Sequence, residues 1–101
     1  LDVIMLDCLK DENKALRYQC LEIAGMTVGE RSRGNSETAY KRCKQIPDMS
    51  AAAHCVSSAV EKIMFEKYPG WEQAPSLCAR LPVEFQQSCI SRLTNPTEAY
   101  R

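Results

Sequence analysis

The chain has 101 residues, 45% of them hydrophobic, with thirteen basic and thirteen acidic side chains and a formal net charge of zero. That length is one domain's worth, expected as a single helical domain over residues 1–101. The balanced charge argues against a general nucleic-acid binder or a polybasic membrane-surface protein, both of which need a surplus of Lys and Arg. Evenly spread charge and ample apolar content argue against disorder.

Taken in order, Val3, Ile4, Leu6 and Leu9 recur at helical spacing, with Asp2 suited to the positive end of a helix. Asp11-Glu12-Asn13 is a polar break, and Asp11 or Asn13 is the expected cap of a helix from Glu12 to about Ser32. Its apolar residues are Leu16, Cys20, Ile23, Ala24 and Val28. Gly25 and Gly29 each weaken that helix by about 1 kcal/mol relative to alanine. Being four apart, they share a face, so they mark either the close approach of another backbone or a fraying C-terminal half. Gly34 suits a helix C′ position, and Asn35 or Ser36 the next N-cap. A short helix from about Glu37 to Gln45 carries Ala39, Tyr40 and Cys43.

Pro47 forbids continuation through Ile46. A longer helix is expected from about Asp48 to Lys67, with one buried stripe of Met49, Ala52, Ala53, Val56, Ala59, Val60 and Ile63. Tyr68-Pro69-Gly70-Trp71 ends it with turn chemistry. A brief helix between Gln73 and Arg80 follows, then one with Pro82 at N1 that carries Val83, Phe85, Cys89, Ile90 and Leu93. Thr94-Asn95-Pro96 stops it, and Thr97 to Arg101 reads as a frayed tail or the start of a segment cut away. The chain begins at Leu1 without a signal-like segment and is read as a mature or trimmed product.

All six cysteines fall on one repeat. Cys8 and Cys20, and Cys43 and Cys55, enclose eleven residues; Cys78 and Cys89 enclose ten. First cysteines step by 35, second cysteines by 35 and 34. Aligned positions agree in places: Leu21, Val56 and Ile90 follow the second cysteine, and Ala24, Ala59 and Leu93 stand three further on. The repeat units are 1–34, 35–70 and 71–101. Fifteen pairings are open to six cysteines. Because Pro47 and Pro82 break the chain inside two of the pairs, each pair is expected to straddle a helix–turn–helix corner. The predicted bridges are Cys8–Cys20, Cys43–Cys55 and Cys78–Cys89, each worth on the order of 3 kcal/mol in the chain-entropy model. Such a framework implies an oxidising, extracytoplasmic compartment.

The predicted fold is therefore all-α: three disulfide-stapled helix–turn–helix hairpins, an approximately 35-residue repeat, stacked as a short solenoid-like array. In architecture it resembles tetratricopeptide-type and Sel1-type arrays. The Trp, Gly, Tyr and Ala signatures of those repeats are missing at matching positions. The twin-cysteine hairpins of the mitochondrial intermembrane space space their cysteines by nine residues, and the insect odorant carriers place two cysteines three residues apart; neither pattern occurs here.

Catalytic signatures are absent. There is no close Cys or His pair for a metal, no CxxC, no phosphate loop and no HExxH. His54 beside Cys55 is a poor nucleophile–base pair, since helical neighbours diverge by roughly 100° and a disulfide sulfur is no nucleophile. No enzyme activity, cofactor or metal is expected. The longest apolar runs are too short to span a bilayer. Arg31, Arg33, Lys41, Arg42 and Lys44 form a locally basic stretch against Glu37, read as a solvated face or a surface for an acidic partner. Phe65, Tyr68 and Trp71 cluster around the Pro69-Gly70 turn, where they serve either packing between repeats or binding. The leading expectation is a non-enzymatic extracytoplasmic protein–protein interaction module, with candidate contacts Tyr40, Lys41, Lys44, Phe65, Tyr68 and Trp71. The alternatives are a structural accessory subunit of a larger envelope or membrane-associated assembly, an inhibitor or immunity protein, and a carrier of small apolar ligands.

Overall fold

The computed structural model describes residues 8–10, 12–33 and 35–94. Among them are five α-helices: α1 (Lys14–Ser32), α2 (Ser36–Cys43), α3 (Met49–Glu66), α4 (Ser76–Ala79) and α5 (Val83–Thr94), with a 3₁₀ turn at Trp71–Gln73 between α3 and α4. No strand occurs among the described residues. The apolar positions expected in Leu1–Asp7, and the tail from Asn95 onward, lie outside them.

Side-chain caps set the helix starts. Asn13 accepts from the Leu16 amide, Asn35 from Thr38 and Asp48 from Ser50, so α1, α2 and α3 each have one of their orphan first-turn donors satisfied. Arg33 and Lys67 end α1 and α3 in the left-handed conformation, at φ 48° and 52°. Pro82 immediately precedes α5 rather than occupying its first turn, and its carbonyl accepts from the Phe85 amide.

The three bridges join Cys8 to Cys20, Cys43 to Cys55 and Cys78 to Cys89, with Cα separations of 5.4, 5.5 and 5.5 Å. They are the pairs that the spacing and prolines predict. The second ties α2 to α3 and the third α4 to α5, and three such bonds mark an oxidising environment. No helix among the described residues is long and apolar enough to cross a membrane.

Helix α3 is the hub. It packs against α1, α2, α4, α5 and the 3₁₀ turn. From Ala51 to Glu61 only His54 keeps partial exposure, and Ile63 is buried as well. A single stripe is the wrong description of this helix. The small side chains of Ala51, Ala52, Ala53, Ser57, Ser58 and Ala59 let neighbours approach on every side, and Met49 lies 53% exposed at the free first turn.

Helix α1 approaches most closely. A Cβ on Gly25 would stand 2.6 Å from Ser58 Cβ and 2.7 Å from the Cys55 carbonyl oxygen; one on Gly29 would stand 2.9 Å from the Ala59 carbonyl oxygen. The glycines are therefore the seat of a close backbone crossing, and α1 runs unbroken to Ser32. Its buried side is Leu21, Ala24, Gly25, Val28 and Gly29, while Leu16 and Ile23 are 51% and 65% exposed. The glycine face, not the largest apolar residues, decides which side turns inward. In α5, Val83 and Ile90 are likewise exposed. Ile90 thus departs from its repeat equivalents Leu21 and Val56, both fully buried.

Candidate functional site

Two regions bring polar side chains from distant parts of the chain together. The first is a cleft of about 410 Å³ between α1, α3 and α5, lined by Tyr18 and Glu22, by Ser50, Ala53, His54 and Ser57, and by Phe85, Ser88 and Arg92. One turn of helix separates Tyr18 from Glu22 and Ser50 from His54, so each pair shares a face. Tyr18 Oη and Ser50 Oγ are hydrogen-bonded at 2.8 Å. The Tyr18 and His54 rings lie 5.4 Å apart, tilted by 42°. Lys14 and Arg17 stand over the Tyr18 ring at 5.7 and 5.9 Å.

Arg92 closes the end of the cleft. Its Nε donates to Glu61 Oε1 at 2.6 Å, and its Nη2 donates to Glu22 Oε1. Glu61 is fully buried, and this guanidinium lies against its carboxylate. The triad joins α1, α3 and α5 at one point.

His54 Nε2 is sealed from solvent and has no hydrogen-bond partner. Burial holds the imidazole below its ordinary titration range, and the Arg92 charge pushes the same way; the Glu22 charge and a hydrogen bond with the Tyr18 backbone oppose them. The ring is therefore neutral at pH 7.

The second region is an exposed patch around Tyr40. The Arg80 guanidinium stacks on the Tyr40 ring at 4.0 Å, and Tyr40 Oη donates to the Arg80 carbonyl at 3.4 Å. The same guanidinium grips Glu37 through both carboxylate oxygens, at 2.5 and 3.3 Å. That hydrogen bond lowers the Glu37 pKa, and the adjacent positive charges of Arg80 and Lys41 add to it. Lys44 reaches over the ring at 5.9 Å, and Lys41 is exposed beside it. A segment near residue 40 and one near residue 80 thereby form one surface.

Of the predicted contacts, Tyr40 and Lys44 meet here, with Lys41 adjacent on α2. Phe65, Tyr68 and Trp71 belong to the end of α3 and the turn beyond. Tyr68 and Trp71 are half-buried against the core, Lys67 lies 5.8 Å from the Trp71 ring centroid, and Phe65 is 39% exposed. Sequence reasoning misses Arg80, which gains its place only through the fold. It also misses the lining of the cleft, whose three segments lie some thirty residues apart. His54 and Cys55 do not form a reactive pair, since Cys55 is bridged to Cys43. Among the described residues no group of three or more His, Cys, Asp or Glu is placed to hold a metal ion.

No protein-family model, curated protein or solved structure matches this chain.

Proposed function

We propose that the protein is a non-enzymatic, extracytoplasmic protein–protein interaction module that engages its partner through the Tyr40 patch. The observation that carries this reading is the stacking of Arg80 on Tyr40 while Glu37 holds the same guanidinium. Tyrosine and arginine are the residue types that most often anchor interfaces. Here both are held in place before binding, so little side-chain entropy remains to be lost. Lys41, Lys44 and Arg80 against Glu37 leave a local surplus of positive charge on a neutral chain, which suits an acidic partner surface. The three hairpins form a short stacked array in this reading, supported by the side-by-side packing of α1, α3 and α5.

The test is affinity capture from the fluid of the native source, with wild-type protein and with Tyr40→Ala and Lys44→Glu variants. A protein retained by the wild type and lost by both variants supports the reading. Equal retention by all three overturns the patch.

A second reading, a carrier of small apolar ligands, is favoured by the cleft. Its volume of about 410 Å³ falls within the range of small-molecule sites, roughly 300–1,000 Å³, and Tyr18 and Phe85 give it aromatic walls. A fluorescent apolar probe that binds the wild type and is excluded by Ser88→Phe would support this reading; no binding by the wild type would remove it.

A further inference from the structure

The tightest polar arrangement in the cleft leaves one group unprovided for. His54 is the sole histidine of the chain. It sits on α3, where α1 and α5 converge, with its ring against that of Tyr18 and its Nε2 sealed and unpartnered. A neutral ring tolerates this position, because an unused acceptor lone pair costs far less than a buried charge. A proton on Nε2 changes the balance. It creates a buried cationic donor with no acceptor in reach, close enough to the Arg92 guanidinium to be repelled by it.

The groups that face the ring are few. From α1 come Tyr18 and Glu22, with Lys14 and Arg17 on the Tyr18 ring; from α5 comes Arg92; Glu61 of α3 lies behind Arg92. Glu22 is the one carboxylate on the cleft wall, and Arg92 already holds it. Relief for a protonated ring therefore requires the ring to leave its place under Tyr18 and reach water. That movement undoes the contact between the Tyr18 and His54 rings, which lies between α1 and α3.

We propose that His54 makes the junction of α1, α3 and α5 an acid-sensitive joint, closed at neutral pH and loosened when Nε2 takes a proton. The sign follows from the burial of the neutral form. Above the ordinary histidine pKa of 6.5 neither the folded nor the unfolded chain carries the proton, and the joint keeps its full stability. As pH falls below 6.5 the unfolded chain takes up a proton that the closed fold resists, so stability drops down to the depressed folded pKa. Histidine is the side chain whose ordinary pKa falls between pH 7.5 and 5.5, and His54 is the chain's one histidine.

The experiment is urea unfolding of the intact, disulfide-bonded protein between pH 8 and 5.5, wild type beside His54→Gln. The ring protons of wild-type His54 are followed by NMR over the same range. Wild-type stability should be level above pH 7.5 and then fall, with the folding equilibrium constant losing up to tenfold per pH unit below 6.5. His54→Gln should stay level. The His54 ring should titrate below 6.5, and amides of α1 around Tyr18 should lose exchange protection before those of α2, after correction for intrinsic rates. A level wild-type profile, an equal fall in His54→Gln, or a ring that titrates at or above 6.5 would overturn the joint. Where His54→Gln does not fold, the ring titration in the wild type decides alone.

Discussion

Gly25 of α1 rests directly against Ser58 of α3, so close that a methyl group on the glycine would stand 2.6 Å from the serine Cβ. Alanine at Gly25 would gain about 1 kcal/mol of helix propensity. It would also collide with the Cys55 carbonyl oxygen at 2.7 Å, a backbone atom that cannot swing aside. Overpacking of this kind costs about 1–3 kcal/mol, and here both contacts fall inside the normal limit. Gly25→Ala should therefore destabilise by about 1–2 kcal/mol, read as a lower urea midpoint at unchanged slope. A rise in the midpoint would show that the helices part without cost.

Ser58 makes the opposite prediction. Its hydroxyl is buried without a partner. Ser58→Ala keeps the Cβ that Gly25 accommodates and removes an unsatisfied polar atom, while improving helix propensity. The substitution should be neutral or stabilising by up to about 1 kcal/mol in thermal or urea unfolding. A loss comparable to that of Gly25→Ala would mean that the hydroxyl is bonded in solution.

Arg92 holds two carboxylates, and one of them, Glu61, is fully buried. Arg92→Ala removes the guanidinium bonded to that buried carboxylate, so it should cost about 3–5 kcal/mol, the usual penalty for breaking a buried pair from one side. Glu22→Ala should cost clearly less, because Glu22 is a quarter exposed and Arg92 keeps its bond to Glu61. A double-mutant cycle between Glu61→Gln and Arg92→Ala measures the coupling directly. Equal penalties for the Glu22 and Arg92 variants would refute this ranking.

The bridge between Cys43 and Cys55 joins two fully buried side chains beside the hub helix. Replacing both with alanine frees a loop of about twelve residues and leaves small gaps in the core. The expected loss is about 2–5 kcal/mol by equilibrium unfolding. A loss under 1 kcal/mol would show that packing of α2 on α3 already fixes the corner.

Much of this fold is readable from cysteines and prolines alone, because a bridge across a proline-broken corner leaves the chain few options. The Asn13, Asn35 and Asp48 caps are equally legible, since capping is a local matter between a side chain and amides two or three residues on. What escapes is whatever depends on distance along the chain. Leu16 and Ile23 look like core residues until the Gly25–Gly29 seam turns α1 the other way. Glu61 reads as a surface charge until Arg92, 31 residues later, arrives to neutralise it. Tyr40 and Lys44 are visible as candidates, yet Arg80, which fixes the ring, is silent in the sequence. The cleft is the least legible feature, because no one of its three segments announces it.

Every bridge joins cysteines only 11 or 12 positions apart, and no two bridges overlap, so the covalent map of the protein is three small rings on a string. A cut between Pro47 and Asp48 would leave both ends tied through Cys43 and Cys55. A cut between Lys67 and Trp71 would leave the last ring attached by nothing covalent, held by packing on α3, by the two carboxylates that Arg92 grips and by the contacts of Arg80 with Glu37 and Tyr40. Resistance to reduction and resistance to proteolysis are therefore separate properties here. The linker after α3 is a place where a protease would separate the last ring with its disulfides intact.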